Sequence, residues 1–471
     1  MNLRTSSLVA VLTASALTAC SQTPLIAPDS QVRLAQANWQ SLVNTSQPQQ
    51  KSLLLADIVD EPLLQQIQRA LQHNPAINKQ ALTVESAKQD LVVANAAIWP
   101  SLDATFSEQR GKTNQQKSSS LGITANYEID IWQRLSDAER QANLSLLAKQ
   151  NNLQQAIDSL ASQVINAWFK VSEADALLAL YKKRVANAEQ NLQTIEFGYQ
   201  RGINSALDVY LARNELHSER SRLASQQQTK QSNVRQLQLL QGLYPSGEWN
   251  APIAPLPKVS GLPTLPLPSD MVKSNPNLKA SWHNLLAADA NLAVTHKNRF
   301  PSLSLRANLD HSFISANTGW SFLARITQPL FDAGRLKSQA VKARLAVQQA
   351  EQQYLSDLLA TFNQIENSLT QAETLQTRLK NTLAARDNAE RAATLSFEQY
   401  QKGLVSFTTV LDSQRREFDA QSSAIQLQYQ LIENMNQVFL SLGGDYRQAL
   451  NITVKPQMIN PDTLSATGTE S

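Results

Sequence analysis

The two halves of this chain repeat, and that fact constrains its fold more than any other. Asn74-Pro75 returns as Asn275-Pro276 and Pro100-Ser101-Leu102 as Pro301-Ser302-Leu303. Arg134-Leu135 returns as Arg335-Leu336, Tyr199-Gln200-Arg201-Gly202 as Tyr400-Gln401-Lys402-Gly403, and Gly242 as Gly443. Each pair is 201 positions apart. A single match could be chance; five in order at one offset mark a duplication, so both halves should build the same supersecondary unit. Between them, Pro245 to Pro268 holds seven of the 18 prolines. Proline removes an N–H and fixes φ, so 244–268 is predicted to be an extended connector between a first repeat at 61–243 and a second at 269–443.

Within each half the apolar period changes from 3.6 to 2. A helix leads in and stops at Pro100 or Pro301, because the residue before proline is pushed out of the helical region. Alternation then follows: Leu102, Ala104, Phe106; Leu121, Ile123, Ala125, Tyr127, Ile129; Leu303, Leu305, Ala307, Leu309; Trp320, Phe322, Ala324, Ile326. This predicts strands at about 101–110, 118–130, 301–310 and 319–331, paired as two hairpins, each long enough to cross a bilayer at a tilt. Trp99, Trp132, Phe300 and Phe331 stand at the hairpin ends, where an aromatic girdle would lie. Four strands cannot close a barrel, and lipid does not tolerate open edges, so sister copies must complete the wall.

A very long helix follows each hairpin. No Pro or Gly interrupts 131–197, and only Gly334 lies near the start of 333–402. Low glycine content, 13 in 471 residues, and abundant Ala, Leu and Gln favour such helices. Val164, Ala167, Val171, Ala174, Leu178, Tyr181, Val185, Ala188, Leu192, Ile195 and Tyr199 alternate by three and four, a coiled-coil seam. Leu336, Ala340, Ala343, Val347, Ala350 and Tyr354 do the same in the second half. The long helices are expected to end at the glycines of Tyr-x-x-Gly. Return helices follow, with Asp208 and Asp412 near their starts, where the helix dipole favours carboxylates.

The N-terminus carries Arg4, an apolar stretch to Leu17, and Leu17-Thr18-Ala19-Cys20. This is the pattern of a secretory signal over 1–19, and its ending resembles a bacterial lipobox in which Cys20 is acylated. Ser21 follows, not the Asp that commonly retains lipoproteins at the inner membrane. Residues 20–60 are expected near the membrane or the equator, and 444–471 as an equatorial or disordered tail. A net charge of +3 with dispersed Lys and Arg gives no case for nucleic acid. The five histidines show no metal-ligand spacing, and neither a phosphate loop nor a nucleophile elbow is present, so neither an enzyme nor a metal cofactor is expected.

These pieces, together with Tyr400-x-x-Gly403 before Val410-Leu411-Asp412-Ser413-Gln414 and the closing Leu442-Gly443-Gly444, resemble the TolC-like outer-membrane efflux family, lipoprotein branch. The resemblance implies a mainly α chain with a membrane β-barrel part. In that family three copies form one twelve-stranded barrel over a twelve-helix periplasmic tunnel with an equatorial domain. It also implies a partnership with a periplasmic adaptor protein and an inner-membrane transporter, for export of drugs, detergents or other amphiphiles. Asp412 matches a constriction aspartate, Asp208 an acidic tip position and Tyr400 a tip tyrosine of the closed state. Thr409 stands where some members carry a second gate Asp, and Val405 where some carry a gate Arg, which favours a single ring of Asp412. Gly202, Gly403, Leu207 and Val410 are candidate adaptor contacts. The alternatives are the channel of a type I protein or peptide secretion system and a periplasmic coiled-coil adaptor lipoprotein.

Overall fold

The computed structural model describes residues 58–110, 117–249, 252–258 and 268–452. Cys20 and the signal segment lie outside the described residues. Elements in chain order are α1 (Glu61–His73), α2 (Pro75–Ala96), β1 (Ser101–Arg110), β2 (Lys117–Ile129), α3 (Arg134–Gln200) and α4 (Ala206–Leu240). The second repeat then gives α5 (Pro268–Ser274), α6 (Pro276–Lys297), β3 (Ser302–Ser312), β4 (Asn317–Thr327), α7 (Arg335–Gln401), α8 (Phe407–Ser441) and the short α9 (Tyr446–Ala449). The chain is mainly helical. Both α3 and α7 are 67 residues long, which at 1.5 Å per residue is about 100 Å of helix. Among the described residues no helix is long and apolar enough to cross a membrane.

Two compact units result. One comprises 83–152 and 277–358 of the described chain. Its two hairpins join into one antiparallel sheet of order β1-β2-β3-β4. The register decides which side chains share a face. Leu102 lies opposite Ala125, Ala125 opposite Ala307, and Ala307 opposite Phe322. Phe106 opposes Leu121, Ile123 opposes Leu309, and Leu309 opposes Trp320. All the alternating apolar residues therefore fall on one face, and that face is open: Trp320 is 81% and Ile326 72% exposed. The other face is a polar ladder. Asn126 donates to Asp103 at 3.1 Å and accepts from Arg306 at 2.8 Å, and Asn308 donates to Ser321 at 3.2 Å. The register puts Gly122 on this face opposite Asp310, whose Oδ1 would sit 2.4 Å from a Cβ there. The last strand is shorter than the predicted 319–331. It ends at Thr327, since β3 begins at Ser302 and offers no partner beyond, and Pro329 has no N–H to pair. Beside the sheet, Trp282 packs edge-on against Tyr354 at 5.3 Å, and Ser281 donates to Asp357 at 2.8 Å.

The other unit holds 153–276 and 359–452 with the chain before Thr83. Its main core gathers Leu63, Ile67, Ile165, Trp168, Leu237, Ile432 and Tyr446. The repeated Asn-Pro and Gly explain themselves here. Proline at the first helical position breaks α1 from α2 without losing a needed donor. Asn74 accepts from the N–H of Ala76 at 2.9 Å and donates to the Leu240 carbonyl at 2.8 Å, tying that break to the end of α4. Asn275 donates to Ser441 O at 3.1 Å in the same way. Gly242 and Gly443, at φ 70° and 77°, close the return helices; a Cβ would lie 2.6 Å from His73 O and from Asn275 Cα, respectively. Of the segment 444–471, expected as an equatorial or disordered tail, the described part is packed as far as Ile452. Tyr446 is fully buried, its hydroxyl donating to Asn436 Oδ1 at 2.7 Å.

The coiled-coil seam of α3 differs from the predicted one toward its end. Arg184, Asn191 and Gly198 are buried in place of Val185, Leu192 and Tyr199. Polar partners decide this. Arg184 donates to Glu219 at 2.8 Å beneath the Phe418 ring, and Asn191 donates to Gln414 at 2.8 Å.

Candidate gate at the helix-turn-helix tips

Both long helices end in the same backbone closure. Gly202 N–H donates to Tyr199 O at 2.9 Å and Ile203 N–H to Gly198 O at 2.8 Å; Gly403 donates to Tyr400 O at 2.9 Å and Leu404 to Gln399 O at 2.9 Å. These are the paired bonds of a Schellman ending, which requires a left-handed residue, and the two glycines have φ 73° and 70°. Neither would meet anything within 4 Å if it carried a Cβ. Their presence is fully explained by the turn.

Beyond the turns the repeats diverge. Ser205 caps α4 through a complete capping box: Asp208 N–H donates to Ser205 Oγ at 3.2 Å, while Ser205 N–H and Oγ–H reach Asp208 Oδ2 at 3.1 and 2.7 Å. Ser406 holds the same backbone position before α8 but makes no side-chain cap. Its partner three residues on is Thr409, whose hydroxyl lies 3.2 Å from Ser406 Oγ. A threonine cannot reach back to the capping N–H as a carboxylate does.

Tyr199 and Tyr400 occupy equivalent repeat positions with opposite fates. Tyr199 is half exposed. Tyr400 packs on Phe407 at 5.6 Å between rings and joins a cluster of Ile195, Val209, Ala212, Phe407, Val410 and Leu411. Its hydroxyl donates to Asn204 Oδ1 at 3.0 Å, and Asn204 Nδ2 donates to Ile195 O at 3.1 Å. One asparagine thus caps α3 and holds the second hairpin. Gly198 leaves room for it, since a Cβ would lie 2.3 Å from Asn204 Nδ2. Burial raises the Tyr400 phenol pKa, and nearby Asp208 adds to this, so the phenol remains a donor.

Further along α8, Asp412 accepts from Arg416 Nε at 3.0 Å, with both side chains well exposed. Arg415 reaches Glu215 of α4 at 2.5 Å. That bond is the first reason its pKa is raised. Asp412 is thus one half of an exposed acid–base pair rather than an isolated carboxylate.

A family model described as outer membrane efflux protein matches the chain twice, over residues 66–243 and 267–444. The chain belongs to that family. Solvent efflux pump outer membrane protein SrpC of Pseudomonas putida is 27% identical over 413 residues, 83% of this chain and 87% of its own. Cation efflux system protein CusC of Escherichia coli (strain K12) is 27% identical over 460 residues, 92% of this chain and 97% of its own. The outer-membrane channel OprN shares the fold at TM-score 0.80 and 20% identity, over 90% of this chain and 99% of that one. The CmeC outer membrane channel of Campylobacter jejuni does so at 0.79 and 19%, over 87% and 92%. This is an efflux protein of the Gram-negative outer membrane, in a family of transport channels rather than of enzymes.

In this efflux protein the candidate gate residues are not all of one kind. Asp412 and Thr409 lie on exposed parts of the first turns of α8, Asp208 is engaged in a helix cap, and Tyr400 points into the tip cluster. Of the candidate adaptor contacts, Gly202, Gly403 and Leu207 are exposed. Val410 is fully buried, so it packs the hairpins together and presents nothing to a partner. Asn204 and Arg416 were not foreseen. The signal for Asn204 was Gly198, in the last turn of α3 and the only glycine within either long helix. Arg416 stood four residues after Asp412, the spacing of a helical ion pair.

Proposed function

We propose that three copies of this efflux protein, anchored by acyl chains on Cys20, form one twelve-stranded barrel in the outer membrane above a periplasmic helical tunnel. The tunnel receives amphiphilic small molecules from an inner-membrane transporter through a periplasmic adaptor, as the outer-membrane component of a tripartite efflux pump. The observation that carries this reading is the sheet: one face carries the alternating apolar residues from Leu102 to Ile326 and is open, the other is mainly polar, and β1 and β4 each have one unpaired edge. Only a closed wall satisfies such edges in lipid. Relatives matched over most of the chain are named for solvents and for cations. Relatives of one architecture thus bear names for chemically unlike cargoes, and the reading assigns the cargo choice to the transporter. The same sheet argues against a periplasmic adaptor, which has no use for a lipid-facing wall.

At the tips the reading places Asp412 of each copy toward the pore axis, each beside its own Arg416, with Thr409 one turn away and Asp208 and Tyr400 holding the hairpins closed. Gly202, Gly403 and Leu207 form the exposed turn surface offered to the adaptor. Acidic rings attract cations and tune selectivity. Purified protein in detergent should behave as a trimer and conduct in planar bilayers. Asp412→Ala should weaken cation preference, whereas Arg416→Ala should strengthen it. A detergent-free soluble monomer would end the channel reading, and unchanged selectivity in both variants would remove Asp412 from the gate.

A further inference from the structure

The polar face of the sheet breaks its own pattern at one place. Within the four described strands that face carries Ser, Thr, Asn, Gln, Gly and charged residues, and one large apolar side chain, Leu323, 43% exposed. The register sets Leu323 directly opposite Arg306, and Arg325 follows two residues on along β4. Residues two apart in a strand share a face, and a diagonal cross-strand neighbour is within reach of a long side chain. Two guanidiniums and an isobutyl group are thereby gathered at the end of the sheet nearest the helices, since β3 starts at Ser302 and β4 ends at Thr327. They line a cleft of about 410 Å³ together with Asn126 and Ser304, bordered by Ala96 at the end of α2.

These arginines are not spent on ion pairs. Among the described residues neither Arg306 nor Arg325 has a carboxylate partner, and both are exposed. Arg306 Nε donates to the neutral Asn126 Oδ1 at 2.8 Å. The acid that lines the cleft, Glu128, is held by Arg134 at 2.6 Å. Asp103 lies one row farther from the helices and accepts from Asn126 at 3.1 Å. Asp310 lies farther still, opposite Gly122 and Gly319. The cleft therefore keeps a positive charge beside an apolar surface.

The duplication shows that the wall itself does not require this set. At the offset of 201 positions, Arg306, Leu323 and Arg325 correspond to Thr105, Gly122 and Thr124. Thr105 pairs with Gly122 as Arg306 does with Leu323. The first hairpin thus makes the same backbone pairing with small, uncharged residues. What the second hairpin adds is side-chain chemistry. A guanidinium fork matches the paired oxygens of a carboxylate or sulfonate. The leucine beside it offers apolar surface that a hydrocarbon body would remove from water. Open to solvent, such a site binds weakly, and a conduit needs solutes that bind and leave.

We propose that Arg306, Arg325 and Leu323 form a transit site on the lumen wall for amphiphilic anions, with a carboxylate, sulfonate or sulfate head on the two guanidiniums and the apolar body against Leu323. This rests on the trimeric barrel reading, in which the polar face lines the lumen and each copy brings the same three residues to one level. It gives the barrel wall a preference opposite in sign to that of the Asp412 tips.

The test uses the full chain, purified in detergent and inserted into planar bilayers, with naphthalene-1-sulfonate or methanesulfonate added on the barrel side. Naphthalene-1-sulfonate should reduce the current at lower concentration than methanesulfonate. Arg306→Thr combined with Arg325→Thr, which installs the residues of the first repeat, should raise its half-blocking concentration about tenfold. The melting temperature of the trimer should not fall. Leu323→Thr should weaken block by naphthalene-1-sulfonate several-fold and leave block by methanesulfonate unchanged. Equal block in the parent and in both variants would overturn the site while leaving a conducting barrel in place. So would a double variant of lowered melting temperature, which would make the arginines part of the wall's own structure. A parent that forms no conducting trimer would overturn the barrel reading, and the site with it.

Discussion

At the roots of the two hairpins the repeats use the same devices, while at the tips they do not. Asn74 and Asn275 each tie a helix break to the carbonyl end of a return helix, at 2.8 and 3.1 Å, and Gly242 and Gly443 let the chains pass in close contact. At the tips only the glycine turn is common. The first repeat adds Gly198, Asn204 and Asp208; the second has Gln399, Val405 and Thr409 in their places. The first tip consequently has a complete capping box and an asparagine that grips Tyr400, and the second has neither of its own. Residues kept in both halves satisfy a backbone constraint that both must meet. Residues that differ give the first tip side-chain bonds of its own that the second tip lacks.

Substitutions can break or sharpen the contrast. The largest effect is expected at the roots. Gly443→Ala or Gly242→Ala should each cost about 2–4 kcal/mol, because a Cβ would collide with backbone and the left-handed conformation adds its own cost. Gly202→Ala at a tip, with open space around it, should cost only the conformational part, about 1–2 kcal/mol. Thermal unfolding in detergent would read both; equal losses at root and tip would deny that close packing defines the root.

Next in size is Asn204→Val, which gives the first tip the residue of the second. Removing the acceptor of Tyr400 and the donor to Ile195 should cost about 1–3 kcal/mol. It should also speed amide exchange at 195–205 and 400–411 while leaving the roots unchanged. Tyr400→Phe, which deletes one bond and keeps the ring, should cost about 1 kcal/mol. If Asn204→Val left exchange at the second tip untouched, the bond between hairpins would have no holding role.

A smaller effect separates the caps. Asp208→Ala should cost about 1 kcal/mol of helix stability. Thr409→Asp should build the missing capping box and gain several tenths to about 1 kcal/mol. The predicted asymmetry would then shrink, and channel opening in bilayers should become rarer. A Thr409→Asp variant no more stable than the parent would show that the second helix start is constrained by something other than its cap.

An effect read in pH rather than at one condition concerns the chain beyond the second root. There the path turns inward, and Tyr446 is buried, whereas Tyr244 beyond the first root is 86% exposed. Asp158 accepts the Tyr446 N–H at 3.1 Å. Burial first, and Asp445 nearby, push its carboxyl up to about 6, against hydrogen bonds from Gln154 and Tyr446 that lower it. A folded-state value above the unfolded one means that the folded form takes up a proton the unfolded form does not. Stability from this group is therefore fully present below about pH 4 and is lost as pH rises through about 6. Asp158→Asn should flatten the melting temperature between pH 4 and 7; an unchanged slope would assign the pH dependence elsewhere.

Much of the fold was legible because it is periodic. Alternation in 101–130 and 302–327 placed the alternating apolar residues, all but Leu323, on one face, and long Pro- and Gly-free stretches gave the two 67-residue helices. The site was legible only in part. Tyr-x-x-Gly announced the turns, since a left-handed closure leaves a glycine in sequence. The Asn204–Tyr400 bond joins residues 196 positions apart, and no local pattern encodes such a pair.

By itself, then, the sequence determined the local periods, the breaks and the duplication, since each is a property of neighbouring residues or of one fixed offset. Tertiary structure decided which side of α3 turns inward near the tip, that Val410 is buried and Tyr199 is not, and that Asp412 is paired. Those outcomes depend on which polar groups on separate helices can meet. A buried arginine is tolerated only where a glutamate from another helix arrives to satisfy it, as Glu219 does for Arg184.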